Sequence, residues 1–189
     1  MLWTVDPVHT TISFRVRHLG LSSVRGQFTR FRGDLELDDD ASPTSGRGSI
    51  EIEAASLTTG NEQRDGDLRG PNFLDVENHP TLRFALQSVT RATGDTFTVM
   101  GDLTIRGVTR RVMLTYEHAG TTTDPYGQVR LGGSLSGVIE RSDWGLTWNV
   151  PLPGGRLLVG DRVTIEVEGQ VVQAREAAAA AAGAEASST

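Results

Sequence analysis

The sequence has no cysteine and no lysine. The first absence excludes disulfides, thiolate metal sites and a cysteine nucleophile, and it fits any compartment. The second leaves all 18 basic residues as arginine, which beside the abundance of Ala and Gly reads as a bias of genome composition. No run approaches the ~20 apolar residues of a membrane helix. The N-terminus enters Trp3-Thr4-Val5-Asp6-Pro7 without the basic region and apolar core of a signal peptide, so the expectation is a cytoplasmic protein. No Gly-x-Ser-x-Gly elbow, phosphate loop or dinucleotide fingerprint occurs. Histidine is scarce: His9, His18, His79 and His118 stand far apart with no i, i+4 pair, so no metal site is expected. A net charge of −6 argues against a general nucleic-acid binder. Nothing in this set points to catalysis or to a cofactor.

What is present is alternation. A chain of 189 residues supports one core, and most of it reads with period two. Ile12, Phe14, Val16 and His18 share one face, with Ser13, Arg15 and Arg17 on the other. From Ser23 to Leu37 the apolar parity changes between Phe28 and Phe31, which predicts a bulge near Thr29-Arg30. Asp38 to Gly46 reads as a turn. Further strands are expected with Ile50 and Ile52, with Leu82, Phe84 and Leu86, with Phe97, Val99 and Leu103, with Val112, Leu114 and Tyr116, with Val129 to Ile139, and over Arg162 to Gln173. Turns are expected at Gly94-Asp95 and Arg106-Gly107, a loop over Thr121 to Tyr126, and an irregular stretch over Ser142 to Gly155.

One stretch breaks the pattern. Asn61 to Arg69 reads as a short helix stopped by Gly70-Pro71, followed by a turn carrying Phe73 and Leu74 and ended by Pro80. The expectation is an all-β fold of about eight antiparallel strands closing a barrel, whose open end is covered by a helical excursion near residues 61–75. The barrel domain spans 1–173, and 174–189 is an Ala-rich tail.

Three features remain open between structural and functional readings. His18 is either a core histidine bonded to a carbonyl or a polar group at a pocket mouth. Gly26, Gly33, Gly48, Gly101, Gly133, Gly137 and Gly169 fall on the apolar parity, where they either relieve crowding or leave a hollow. Arg15, Arg17, Arg25, Arg30 and Arg32 follow a single acid, Asp6, and form either a solvated face or a basic patch.

Several stretches together resemble the YceI-like family of lipid-binding domains over about Trp3 to Val171. They are Trp3 to Phe14, Val24-Arg25-Gly26-Gln27-Phe28 with Phe31 and Gly33, Arg64-Asp65 with Leu68, Phe73-Leu74-Asp75 with Pro80 and Phe84, Gly101 to Thr109, Arg141 to Gly145, and Val159-Gly160-Asp161. The resemblance implies an extended, lipocalin-like barrel that holds a polyisoprenoid, isoprenoid quinone or similar long-chain amphiphile, and a homodimer. The chain departs from the family pattern at Asp67, where the family usually has His, and at Leu74, where a second aromatic is common. Asp67 would repel a pyrophosphate. The candidate ligand-binding residues are Phe14, Val16, His18, Phe28, Ile50, Ile52, Arg64, Leu68, Phe73, Phe84, Val99, Gly133, Leu135 and Trp144. The functional expectation is a non-catalytic lipid carrier. The alternatives are an enzyme on such a lipid using His18 or Asp143, and a filled barrel with a structural or partner-binding role.

Overall fold

The computed structural model describes residues 1–37 and 46–174. The turn expected over Asp38 to Gly46 and the Ala-rich tail therefore lie outside the described residues, apart from Gly46, which opens a strand, and Ala174.

The period-two segments are strands, and three of them are split. β1 (Leu2–Val5) and β2 (Thr11–His18) flank Pro7, which has no amide to give to a ladder. β3 (Ser22–Phe28) and β4 (Phe31–Leu37) flank Thr29-Arg30, where the parity changes. β5 (Gly46–Glu53) and β6 (Leu57–Thr58) flank a 3₁₀ turn, Ala54–Ser56. The last two breaks face each other and are bonded together: the Thr29 amide donates to the Ser56 carbonyl at 3.3 Å and the Glu53 amide to the Arg30 carbonyl at 3.0 Å. The expected bulge is thus a full interruption. β7 (Thr81–Thr93), β8 (Thr96–Ile105), β9 (Val108–Thr123), β10 (Val129–Glu140) and β11 (Val159–Gln173) complete the set.

Each split strand acts as one stave. β1 pairs with β4 on one side and with β11 at Val171 to Gln173 on the other. β2 takes β11 from Val159 to Glu168, and β3 on its other edge. The result is a closed antiparallel barrel of eight staves, each hydrogen-bonded to its neighbour in sequence, with the first joined to the last. The turn at Arg106-Gly107 has positive φ at both residues, 49° and 74°, the geometry that a two-residue hairpin needs. β9 runs to Thr123 rather than into a loop at Thr121. The connection shrinks to residues 124–128, where the Asp124 carboxylate accepts the Tyr126 and Gln128 amides. β11 begins at Val159, three residues before the expected Arg162.

The helical excursion is α1 (Glu62–Arg69). Asn61 caps it by accepting the Arg64 amide at 2.9 Å, and Gly70 ends it. Its side chains are almost all polar, so a stripe of apolar residues does not hold it down. Instead the buried Asp65 carboxylate accepts both the Thr59 amide, at 2.8 Å, and the Thr59 hydroxyl, at 2.6 Å. Arg69 Nε donates to the Ala55 carbonyl at 3.0 Å. The apolar cover comes from Leu68 and from Phe73, Leu74 and Val76 beyond it, all packed on the main core. A second cluster, Trp3, Val5, Leu37, Leu131 and Val171, bounds the other end of the barrel.

Candidate functional site

Four of the inward glycines are seats for side chains on the facing strand. The Phe14 ring lies across Gly26, its partner in the β2–β3 ladder. Phe84 covers Gly101, Tyr116 covers Gly133, and Leu114 covers Gly137. A β-carbon at any of these four positions would strike the covering side chain. Glycine therefore lets large side chains lie flat against the wall instead of pointing across it, and the lumen stays open. The two readings of the glycines combine: each relieves a close contact, and the contact it relieves keeps the centre hollow.

Three chambers follow one another through the barrel. The far chamber, about 150 Å³, is lined by Val5, Leu35, Leu37, Val89, Val99, Gly133 and Val171 among others. The central chamber, about 210 Å³, is lined by residues such as Ile12, Phe28, Ile52, Leu103, Ile105, Val112, Ile139, Val163 and Ile165. These two share Ile50, Phe84, Leu135 and Val167. The mouth chamber, about 620 Å³, shares Phe14, Val16, Leu68, Phe73 and Val159 with the central one, and adds Arg17, His18, Arg64, Asp67, Asn72 and Trp148. The shared walls set the three chambers end to end, and their succession is the passage. Along β11 it runs from Val159 to Val171, twelve residue steps or roughly 40 Å of strand, which a barrel tilt reduces to about 30 Å along the axis.

Polarity is distributed unevenly along this passage. The far and central chambers are walled almost wholly by carbon. Arg141 lines the central one with its stem; its Nε donates to the Gly160 carbonyl at 3.0 Å and Nη1 to the Leu146 carbonyl. Burial lowers its pKa. Its role is to tie the 3₁₀ turn Arg141–Trp144 to the start of β11. The mouth chamber holds the polar groups, and there the His18 ring makes no hydrogen bond to protein among the described residues. The carbonyl-bonded core histidine is not what forms.

At the far end a charged lock closes the wall outside the lumen. Arg130 Nη1 meets Asp6 at 2.6 Å and Nε meets Asp124 at 2.8 Å, joining the N-terminal segment, β10 and the 124–128 turn. Burial would raise the Asp6 carboxyl, but Arg130, His9 and the Val8 amide outweigh it and hold the pKa at about 2. Inside, burial pushes the Tyr116 phenol up to about 12, and its hydroxyl donates to the Gly132 carbonyl.

Of the fourteen residues singled out from sequence, thirteen line the passage. Val99 and Gly133 are in the far chamber. Ile50, Phe84 and Leu135 join it to the central one, which holds Phe28 and Ile52. Phe14, Val16, Leu68 and Phe73 join the central chamber to the mouth, which holds His18 and Arg64. Trp144 lines none of the three. The 3₁₀ turn carries it into the core, where its Nε1 donates to the Leu103 carbonyl at 3.0 Å. Asp143 lines no chamber either, so it and His18 are not brought together on the passage. Sequence reasoning missed Ile12, Leu103, Ile105, Val112, Leu114, Ile139, Val163, Ile165 and Val167 as lining residues, although their parity was legible and would have sufficed.

Comparison with known proteins gives concordant results. The family description that matches is the YceI-like domain, over residues 3–171. A UPF0312 protein of Photorhabdus laumondii is 36% identical over 136 residues, covering 72% of this chain and 70% of that protein. The crystal structure of a Campylobacter jejuni YCEI protein is similar with a TM-score of 0.73 and 26% identity, over 84% of this chain and 90% of that one. A polyisoprenoid binding domain from Saccharophagus degradans, implicated in plant cell wall breakdown, shares the fold with a TM-score of 0.63 at 13% identity, over 91% of this chain and 98% of that one.

Proposed function

The chain belongs to the YceI-like family, and from that premise we propose that it is a non-catalytic carrier of a long-chain amphiphile of the polyisoprenoid or isoprenoid-quinone kind. The observation that carries this reading is the succession of three chambers with shared walls, the two inner ones apolar and the outer one holding the polar groups. An extended hydrocarbon chain matches the two inner chambers. Each Å² of its apolar surface taken from water contributes ~25 cal/mol, so affinity needs no polar contact inside. The polar head belongs in the mouth, where His18 and Arg17 offer donors. Asp67 stands in the same chamber and disfavours a highly charged head. Such a wall separates chains differing by one CH₂ by only ~1 kcal/mol, so length is selected by the extent of the passage.

The test is native mass spectrometry of protein purified under mild conditions, with solvent extraction of the bound species. The expected result is a mass excess that extraction releases as an unaltered long-chain amphiphile. Leu135→Trp, placed where the far and central chambers join, should shift the retained species towards shorter chains. Protein recovered empty, and unable to take up an added polyprenyl lipid, overturns the reading.

A further inference from the structure

Two chain reversals meet beside the mouth chamber, and both present apolar side chains to solvent. The turn between β2 and β3 carries Leu21, 72% exposed. Residues 149–159 form a small hairpin, in which the Leu158 amide donates to the Val150 carbonyl at 3.0 Å and the Leu152 amide to the Arg156 carbonyl at 2.8 Å. On it and beside it stand Leu157, Val150 and Trp148, 52%, 39% and 36% exposed. The reversals are joined, because the Leu19 amide donates to the Leu158 carbonyl at 2.8 Å. Trp148 carries the apolar surface inward, its ring 5.2 Å from that of Phe73 in the passage wall. Single exposed apolar residues are ordinary; a contiguous set around an opening is not.

The two reversals themselves carry charge of one sign, with Asp67 in the mouth lining and Asp161 after the hairpin as the acids nearest to them. Residues 7–33 and 145–160 contain no Asp or Glu. Of the five arginines of the N-terminal patch, Arg30 and Arg32 are paired with Glu53 and Glu51. Arg15 and Arg25 share one carboxylate, Glu166, each at 3.7 Å. Arg17 donates to the Gly20 carbonyl, and Arg156 meets no carboxylate among the described residues. Arg17 and Arg156 thus stand beside the apolar tips with no carboxylate partner among the described residues.

We propose that these two tips dock the mouth onto an anionic bilayer, so that the amphiphile passes between membrane and passage without crossing water. The proposal rests on the carrier reading above. Leu21 and Leu157 would enter the boundary between headgroups and acyl chains, and the arginines would lie among the phosphates. A second copy of this chain fits the same surface less well, because a two-fold axis there would set Arg15, Arg17, Arg25 and Arg156 against their own copies.

The experiment is co-sedimentation with vesicles of phosphatidylcholine alone and of phosphatidylcholine with phosphatidylglycerol, with bound amphiphile extracted from the same samples. Binding to the anionic vesicles, weakened by added salt, is expected. Leu21→Ser with Leu157→Ser should lower it roughly tenfold or more. Arg25→Gln with Arg156→Gln should lower it by about fivefold per arginine. None of these four residues lines the passage, so both variants should keep the extractable amphiphile. Loaded protein that ignores anionic vesicles, or binds them equally well after either pair of substitutions, overturns the docking and leaves the carrier reading intact. Protein that binds them yet is empty and takes up no added polyprenyl lipid removes the carrier reading and leaves the docking. A dimer that Leu21→Ser with Leu157→Ser turns into monomer would assign the tips to self-association and overturn the proposal.

Discussion

A β-carbon at Gly133 would strike the Tyr116 ring and come within 2.5 Å of the Glu117 carbonyl oxygen, a backbone atom with no freedom to retreat. Gly133→Ala should therefore destabilise the barrel by ~1–3 kcal/mol. A thermal melt reads this as a fall of about 2–4 °C per kcal/mol in a chain of this size. Adding Tyr116→Leu removes part of the obstruction, so the pair should cost less than the sum of the two single changes. A second residue-scale prediction concerns acid. The depressed pKa of Asp6 means that its ion pair stabilises the fold above its ordinary value near 3.8, and that this contribution fades as pH falls towards about 2. Asp6→Asn should remove ~1–2 kcal/mol at neutral pH and flatten the loss of stability between about pH 4 and 2. Urea titrations at several pH values would show it. The sequence displayed the glycines on the apolar parity, but not what lies across them. Which ring falls on which glycine depends on the register of neighbouring staves, such as Phe14 opposite Gly26, and a single-chain reading does not fix register.

At the scale of elements, the legible parts were those with enough residues to show a period. β8, ten residues with buried and half-buried positions alternating throughout, was read from end to end. β1 and β6, four and two residues long, were not, because so few positions carry no periodicity. The helix was legible from its cap and its stop, Asn61 and Gly70, yet its mode of attachment was not. α1 has little apolar surface of its own and is held by Asp65 and Arg69. Burial raises the Asp65 pKa and the Thr59 bonds outweigh it, so the net shift is downward and the group stays a carboxylate. Asp65→Ala leaves the Thr59 amide and hydroxyl without that acceptor and should cost ~2–3 kcal/mol. Hydrogen exchange should accelerate most over 59–80, the segment that covers the mouth. Asp65→Asn, which keeps one acceptor oxygen, should lose less.

For the molecule as a whole, the carrier reading makes the separation of a carbon-walled interior from a mouth that holds the polar groups the basis of discrimination. Swaps among Leu, Ile and Met in the central chamber should alter stability by less than ~1.5 kcal/mol and leave the class of extracted amphiphile unchanged. A change of head preference should require substitution in the mouth, at Arg17 or His18. The pairing of Val5 with Val171 has a further consequence, in time rather than in space. Every other junction in the ring joins consecutive staves and can form as the chain leaves the ribosome. This last one spans nearly the whole domain and must wait for synthesis of the final stave. Until then the nascent chain is an open, curling sheet whose future lumen faces water, the kind of late, distant closure that makes folding slow and exposes a chain to misassembly. A released chain truncated before β11 should therefore recruit chaperones or aggregate, where one carried through Gln173 shuts upon itself.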